Sequence, residues 1–120
     1  MHARSKILVV EDDDELRERV ASRIEELGVK AEQAQDGIEA LERLARSSPP
    51  GAIFLDVCMS RRGGQCLLAL LRREPRWASI PIITMSGAHP PAPGSPVTSR
   101  SVKSFDVEEL AQILVSLCGG

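Results

Sequence analysis

Short apolar runs alternate with amphipathic stretches along most of the chain. Ile7–Val10 and Ala52–Leu55 are continuously apolar, which is typical of central parallel strands covered on both faces. Val29–Ala34 is less apolar and suits a sheet edge, and Ile80–Met85 predicts a fourth strand. Val97–Val102 predicts a weak fifth strand. The first and third strands are each followed at once by carboxylates.

Between the strands, apolar residues recur every three or four positions, as in amphipathic helices. Asp13 or Asp14 can cap the first helix, and Gly28 can close it. Asp36 precedes the second helix, and Asp106 can cap the last. The apolar positions assigned to the four helices are Leu16, Val20, Ile24 and Leu27; Ile38, Leu41 and Leu44; Leu67, Leu68, Leu70 and Leu71, facing inward from Gly64–Arg73; and Val107, Leu110, Ile113, Leu114 and Leu117, on one face. This alternation predicts an α/β fold.

The alternation breaks after the fourth strand. Sixteen residues separate Ser86 from Lys103, and four of them are prolines: Pro90, Pro91, Pro93 and Pro96. Because a proline inside a helix costs about 3 kcal/mol, we do not expect a full helix in this segment.

Composition limits the function classes. The 120 residues suit a single domain over 1–120. A net charge of −2 creates no field that would recruit nucleic acid or an anionic membrane. No stretch resembles a signal peptide or a membrane span. The three cysteines are odd in number and lack metal-type spacing, so we expect reduced thiols and a cytoplasmic protein.

Polar residues follow the strands at the end where an open α/β sheet binds its ligands. Glu11 and Asp12 follow the first strand, Asp56 the third and Ser86 the fourth, and the fifth leads to Lys103. Taken singly, the acids could begin a helix and the lysine could be a solvated surface residue. Three carboxylates within about 5 Å would repel by several kcal/mol at an effective dielectric near 20. They would need a cation, and oxygen ligands with room for water suit Mg²⁺.

The order and spacing of these motifs resemble the receiver domain of bacterial two-component response regulators. The resemblance covers essentially the whole chain except residues 88–102. It implies a flavodoxin-like, doubly wound sheet of five parallel strands in the order 2-1-3-4-5. The segments that carry it are Val9–Asp13; Leu55–Asp56 with Met59 and Gly64 following; Pro81–Ile83 leading to Ser86–Gly87; and Lys103 before Phe105–Asp106.

The resemblance also implies a phosphoacceptor and a metal site. Asp56 would accept a phosphoryl group from a histidine kinase or phosphotransfer protein. Glu11, Asp12 and Asp56 would hold Mg²⁺, with the backbone carbonyl of Cys58 as a further ligand.

Two further residues would contact the phosphoryl group. Ser86 matches the hydroxyl residue that hydrogen-bonds a phosphoryl oxygen, and Lys103 matches the lysine that pairs with it. The domain would catalyse its own phosphoryl transfer, from phosphohistidine or a small phosphodonor, and its hydrolysis, with no separate substrate. A carboxylate is a known nucleophile for phosphoryl groups, and cations neutralise charge on the transferring oxygens.

The chain departs from the family pattern at four places. Ser60 and Ser104 stand where the family has proline. In the family, the peptide bond that joins the lysine to the second of these prolines is cis. Without proline, a cis bond costs about 3–4 kcal/mol, which puts the reach of Lys103 in question. Arg100 occupies the aromatic switch position. The proline-rich run replaces the fourth helix, which we expect to be missing or shortened, and the loop 88–100 is expected to order or shift on phosphorylation.

These departures keep other functions open. A pseudo-receiver would act as an interaction module without phosphate, and metal titration would distinguish it from a phosphorylated switch. A different Mg²⁺-dependent phosphoryl-transfer enzyme would need a pocket for a small-molecule substrate. Nucleotide binding is disfavoured because no glycine-rich phosphate loop follows the first strand.

Overall fold

The computed structural model describes residues 6–56, 64–85, 97–100 and 106–119. Within these ranges there are five strands and four helices, which alternate as far as β4. In chain order they are β1 Lys6–Val10, α1 Asp14–Glu26, β2 Lys30–Ala34, α2 Gly37–Arg46, β3 Ala52–Asp56, α3 Gly64–Arg73, β4 Ile82–Met85, β5 Val97–Arg100 and α4 Val107–Gly119.

All described strand pairs are parallel, and the strand order is β2-β1-β3-β4-β5. The prediction of a doubly wound parallel sheet in the order 2-1-3-4-5 is therefore confirmed. Strands β1 and β3 lie side by side near the centre, with Val9 opposite Phe54 and Val10 opposite Leu55. This pairing brings their carboxyl ends to the same edge of the sheet.

The apolar runs of β1 and β3 are continuous because each strand contacts helices on both faces. Successive side chains of a strand point to opposite faces, so Leu8 and Val10 join one core layer and Ile7 and Val9 join the other.

One layer lies under α2 and α3 and includes Trp77, which is 4% exposed. The other lies under α1 and α4 and includes Phe54, which is fully buried. Helix-side members of the first layer are Ala40, Leu44, Leu67 and Leu71, and those of the second are Val20, Ile24, Leu110, Ala111 and Leu114.

Helix α1 begins and ends at the predicted residues. Asp13 is the N-cap, and its side chain accepts a hydrogen bond from the amide of Leu16 at 3.2 Å, while Asp14 is the first helical residue. Gly28 follows the helix with a φ of +96°, a left-handed conformation that favours glycine.

An aspartate also directly precedes α2 and α4 and caps each helix. Asp36 accepts from the amide of Glu39 at 2.8 Å, and Asp106 accepts from the amide of Glu108 at 2.9 Å. Each bond satisfies an amide that has no partner inside the helix. The local sequence therefore sets where these helices start.

Two leucines that we expected to face inward are exposed. Leu70 of α3 is 37% exposed and Leu117 of α4 is 40% exposed. Successive residues lie about 100° apart around a helix, so a helix packed on a flat sheet buries only a narrow stripe. In α3 that stripe is Leu67 and Leu71, which are 3% and 0% exposed.

Strand β4 begins two residues later than predicted, at Ile82. Pro81 has no amide hydrogen, but its carbonyl accepts from the amide of Ile53 at 3.0 Å. Ile80 lies before the strand and is buried among the residues under α2 and α3.

Several expectations fall on residues outside the described ranges. These are the replacement of a helix by the proline-rich run, the switching of that loop, and the positions of Cys58, Ser60, Ser86, Lys103 and Ser104. Within the described part of the chain, no helix is both long and apolar enough to cross a bilayer.

Candidate functional site

The carboxyl ends of β1 and β3 carry three acidic side chains. Glu11 and Asp12 directly follow β1, and Asp56 is the last residue of β3. The amide of Glu11 donates to the carbonyl of Ala34 at 3.0 Å, so the backbone contact with β2 extends one residue beyond the strand.

Carboxylate oxygens of Glu11, Asp12 and Asp56 all lie within 4.8 Å of one another. Glu11 is 2% exposed, whereas Asp12 and Asp56 are accessible to solvent. The group therefore has a buried side, supplied by Glu11, and an open side from which an ion or a phosphodonor can approach. The structure thus brings together the three acids that the sequence assigns to one site.

The two oxygens of Glu11 have different surroundings. Oε2 accepts a hydrogen bond from the amide of Asp13 at 3.0 Å. Oε1 is buried and accepts no hydrogen bond from the described part of the chain. A buried carboxylate oxygen without a donor is costly, and a cation or a proton would relieve that cost.

The pKa of Glu11 is raised from 4.5 to about 8. Burial is the largest cause, because it disfavours the charged carboxylate. The carboxylate of Asp56 raises the pKa further, because it can accept a hydrogen bond from Glu11 once Glu11 is protonated and because its negative charge opposes ionisation. The amide of Asp13 lowers the pKa. In the absence of a cation, burial and the neighbouring carboxylate therefore oppose ionisation of Glu11 near neutral pH.

These features fit a small, hard divalent cation. The donors are all oxygens, one of them is buried without a hydrogen-bond donor, and the open side leaves room for water. Such oxygen ligands with several waters suit Mg²⁺. The further ligand assigned to Cys58 and the phosphoryl contacts assigned to Ser86 and Lys103 lie outside the described residues.

Sequence reasoning did not identify Arg17 as part of this region. Its guanidinium donates to the backbone carbonyl of Glu11 at 2.8 Å. The only signal in the sequence is a position one helical turn after the cap Asp13, which is an ordinary place for a surface arginine.

Known proteins resemble this chain in both sequence and structure. Residues 7–94 match the family described as the response regulator receiver domain. Protein PilG of Pseudomonas aeruginosa is 31% identical over 110 residues, which cover 88% of this chain and 81% of PilG. The DNA-binding dual master transcriptional regulator RpaA of Synechocystis is also 31% identical over 110 residues, but the match spans only 45% of RpaA.

A solved structure has the same fold over nearly the whole chain. It is the signal receiver domain of a signal transduction histidine kinase from Syntrophus aciditrophicus, with a TM-score of 0.77 and 26% identity over 95% of this chain and 89% of that one. The sequence matches and the shared fold lead to one conclusion. The chain belongs to the receiver domain family of two-component response regulators, which work in phosphorylation-based signalling.

Proposed function

We propose that this domain is a phosphorylation-dependent switch that accepts a phosphoryl group on Asp56 from a histidine kinase or a phosphotransfer protein. The observation that carries the proposal is the convergence of Glu11, Asp12 and Asp56, from two neighbouring strands, to within 4.8 Å. The family membership supports the same reading, because receiver domains work in phosphorylation-based signalling.

Glu11, Asp12 and Asp56 would hold Mg²⁺, with the backbone carbonyl of Cys58 as a further ligand. When bound, Mg²⁺ supplies positive charge that offsets the negative charge on the transferring phosphoryl oxygens. Glu11 provides the buried wall of the site, and its Oε1 has no competing hydrogen bond from the described residues.

Asp56 is the nucleophile in this proposal because it combines a fixed strand end with access to solvent. One of its carboxylate oxygens forms a bond to phosphorus as the P–N bond to the donor's imidazole breaks, and the electron pair of that bond remains on the imidazole nitrogen. Ser86 would donate a hydrogen bond to a phosphoryl oxygen, and the Lys103 ammonium would pair with another. Attack by water later breaks the acyl phosphate, which restores the Asp56 carboxylate and releases inorganic phosphate.

The test is phosphorylation by a small donor. The wild-type domain is treated with acetyl phosphate, with and without Mg²⁺, and its intact mass is compared with that of Asp56→Ala. We expect one added phosphoryl group in the wild type only when Mg²⁺ is present, and none in the variant.

The same experiment, together with a Mg²⁺ titration of the wild type and Asp56→Asn, evaluates the pseudo-receiver hypothesis. An interaction module that works without phosphate would gain no phosphoryl group, and Asp56→Asn would leave its Mg²⁺ binding unchanged. That combination would refute the proposed function. A phosphoryl group on Asp56→Ala would place the acceptor elsewhere in the chain.

A further inference from the structure

Arg17 joins three separate segments beside the acidic group. It lies in α1, and its side chain is only 12% exposed. Nη1 donates to the backbone carbonyl of Glu11 at 2.8 Å, Nε to Oε1 of Gln33 at 3.1 Å, and Nη2 to Oδ1 of Asp14 at 2.7 Å. All three guanidinium nitrogens are therefore engaged, each with a different residue.

The backbone of Glu11 is held on both sides by this arrangement. Its amide donates to the carbonyl of Ala34 in β2, and its carbonyl accepts from Arg17. The carbonyl of Glu11 and the amide of Asp12 belong to one planar peptide unit. Fixing the carbonyl therefore fixes the direction in which Asp12 leaves the strand, while the amide of Asp13 holds the carboxylate of Glu11.

We infer that Arg17 is a positioning residue for the acidic site. It acts through the backbone of the turn between β1 and α1, and it holds Glu11 and Asp12 in the orientation that lets both carboxylates face Asp56. This inference rests on the proposed function, because it assigns Arg17 a role in cation binding.

The chemistry of arginine explains why this position needs that residue. The guanidinium is a planar fork with donors in fixed directions, whereas a lysine ammonium is a single point charge on a flexible stem. A lysine at position 17 could reach the carbonyl of Glu11, but it could not reproduce the three-way link with Gln33 and Asp14. Replacing a residue that supports a metal ligand typically lowers the affinity for the metal by about 10–100-fold.

The simpler interpretation is that Arg17 only stabilises the fold, and Arg23 supplies the matched control for it. Arg23 lies in the same helix and donates to Glu108 of α4 through Nε at 2.5 Å and Nη2 at 2.9 Å. It links two helices, as Arg17 links a helix to the turn and β2. Within the described part of the chain, its hydrogen bonds go to Glu26 and Glu108 and not to the acidic group.

Calorimetric titration with Mg²⁺ tests the inference on the folded variants Arg17→Ala, Arg17→Lys and Arg23→Ala. We expect Arg17→Ala to weaken Mg²⁺ binding by about tenfold or more. The affinity of Arg17→Lys should lie between that of Arg17→Ala and that of the wild type. The affinity of Arg23→Ala should stay within about twofold of the wild type. Equal affinities for Arg17→Ala and the wild type would overturn the inference. So would an equal loss in Arg23→Ala.

A readout on the metal-free protein separates this inference from the proposed function. Amide hydrogen exchange reports local opening of the backbone. In Arg17→Ala we expect the amides of Glu11 and Asp13 to exchange about tenfold faster, with a much smaller change at Ile24 in the second half of α1. In Arg23→Ala, hydrogen exchange at the amides of Glu11 and Asp13 should not be selectively faster.

The outcomes distinguish the two ideas. If the wild type binds no Mg²⁺, the proposed function fails, and the exchange rates alone decide whether Arg17 positions the turn. If Arg17→Ala speeds exchange uniformly along α1, Arg17 is a general stabiliser and the inference is wrong. Should Arg17→Ala not fold, Arg17→Lys compared with Arg23→Lys decides by the same criteria.

Discussion

The carboxyl groups of Glu11 and Asp56 lie within 4.8 Å of each other although they stand at the ends of different strands. The parallel pairing of β1 with β3 places them there, because Val10 is opposite Leu55 at the ends of the two strands. One of the two acids is buried and the other is accessible to solvent. The pair therefore couples the stability of the fold to the charge of the site, and this coupling can be measured.

The stability of the metal-free domain should depend on pH through Glu11. Its pKa is about 8 in the folded state and near 4.5 when unfolded, so between these values the unfolded chain binds fewer protons than the folded one. The contribution of Glu11 to the free energy of unfolding is greatest below pH 4.5. It falls as the pH rises toward 8, by up to about 1.4 kcal/mol per pH unit. Urea unfolding in the presence of a chelator, repeated across this range, measures the slope.

Glu11→Gln is the control for this pH dependence. Glutamine keeps the size of the side chain and does not titrate, so the downward slope between pH 4.5 and 8 should become smaller. An unchanged slope in this variant would show that other groups cause the pH dependence.

Mg²⁺ binding should show the opposite trend with pH. A cation at the acidic group requires the Glu11 proton to leave, so the affinity for Mg²⁺ should increase as the pH rises toward 8. Calorimetric titration at several pH values tests this. Because a ligand that binds only the folded state stabilises it by about 2.7 kcal/mol at a concentration of 100 Kd, Mg²⁺ should also raise the unfolding midpoint.

Asp56→Asn should weaken Mg²⁺ binding, whereas Asp106→Asn should not. Asp106 is an exposed carboxylate at the start of α4 and lies outside the acidic group. If both variants lost affinity equally, the effect would reflect net charge and not a defined site.

The exposed and buried leucines of α3 provide a matched pair. Leu71 is fully buried and Leu70 is 37% exposed, although they are adjacent in the sequence. Leu71→Ala should cost about 2–5 kcal/mol of unfolding free energy because it leaves a cavity under α3. Leu70→Ala should cost less than about 1 kcal/mol, because surface substitutions are usually small. Equal costs by chemical denaturation would contradict the packing described for this helix.

Gly51 makes a close contact with the end of α4. A Cβ at this position would lie 2.5 Å from Sγ of Cys118 and 3.3 Å from its Cα, so Gly51→Ala should cost about 1–3 kcal/mol through overpacking. Urea unfolding of the single variants and of the double variant with Cys118→Ala measures how far removing the sulfur offsets that cost.

Gly28→Ala is the control for this contact. Gly28 has a φ of +96°, and among the described residues other than its chain neighbours no heavy atom lies within 4 Å of an added Cβ. Its substitution is therefore unfavourable for backbone conformation alone. Cys118→Ala should relieve Gly51→Ala and leave the cost of Gly28→Ala unchanged. If Cys118→Ala reduced the cost of both glycine substitutions, its effect would be general and not specific to the contact with Gly51.

The sequence by itself determined the alternation of strands and helices as far as β4 and the acids at the ends of β1 and β3. It also determined the aspartates at which helices start: Asp13 or Asp14 for α1, Asp36 for α2 and Asp106 for α4. These features are local. The period of apolar residues, the hydrogen bond from a cap to an amide two or three residues later, and the first polar residue after a buried run all depend on near neighbours. The motifs also carry the resemblance to receiver domains, so the order of the strands could be predicted from them.

Only the tertiary structure decided the relations between residues far apart in the chain. The burial of Glu11 depends on packing across the sheet, and the exposure of Leu70 depends on which stripe of α3 faces the core. The contact of Gly51 with Cys118 joins the residue before β3 to the end of α4, and Arg17 connects α1, β2 and the turn that carries Glu11. No local pattern specifies such contacts, because they depend on how separate elements pack in three dimensions.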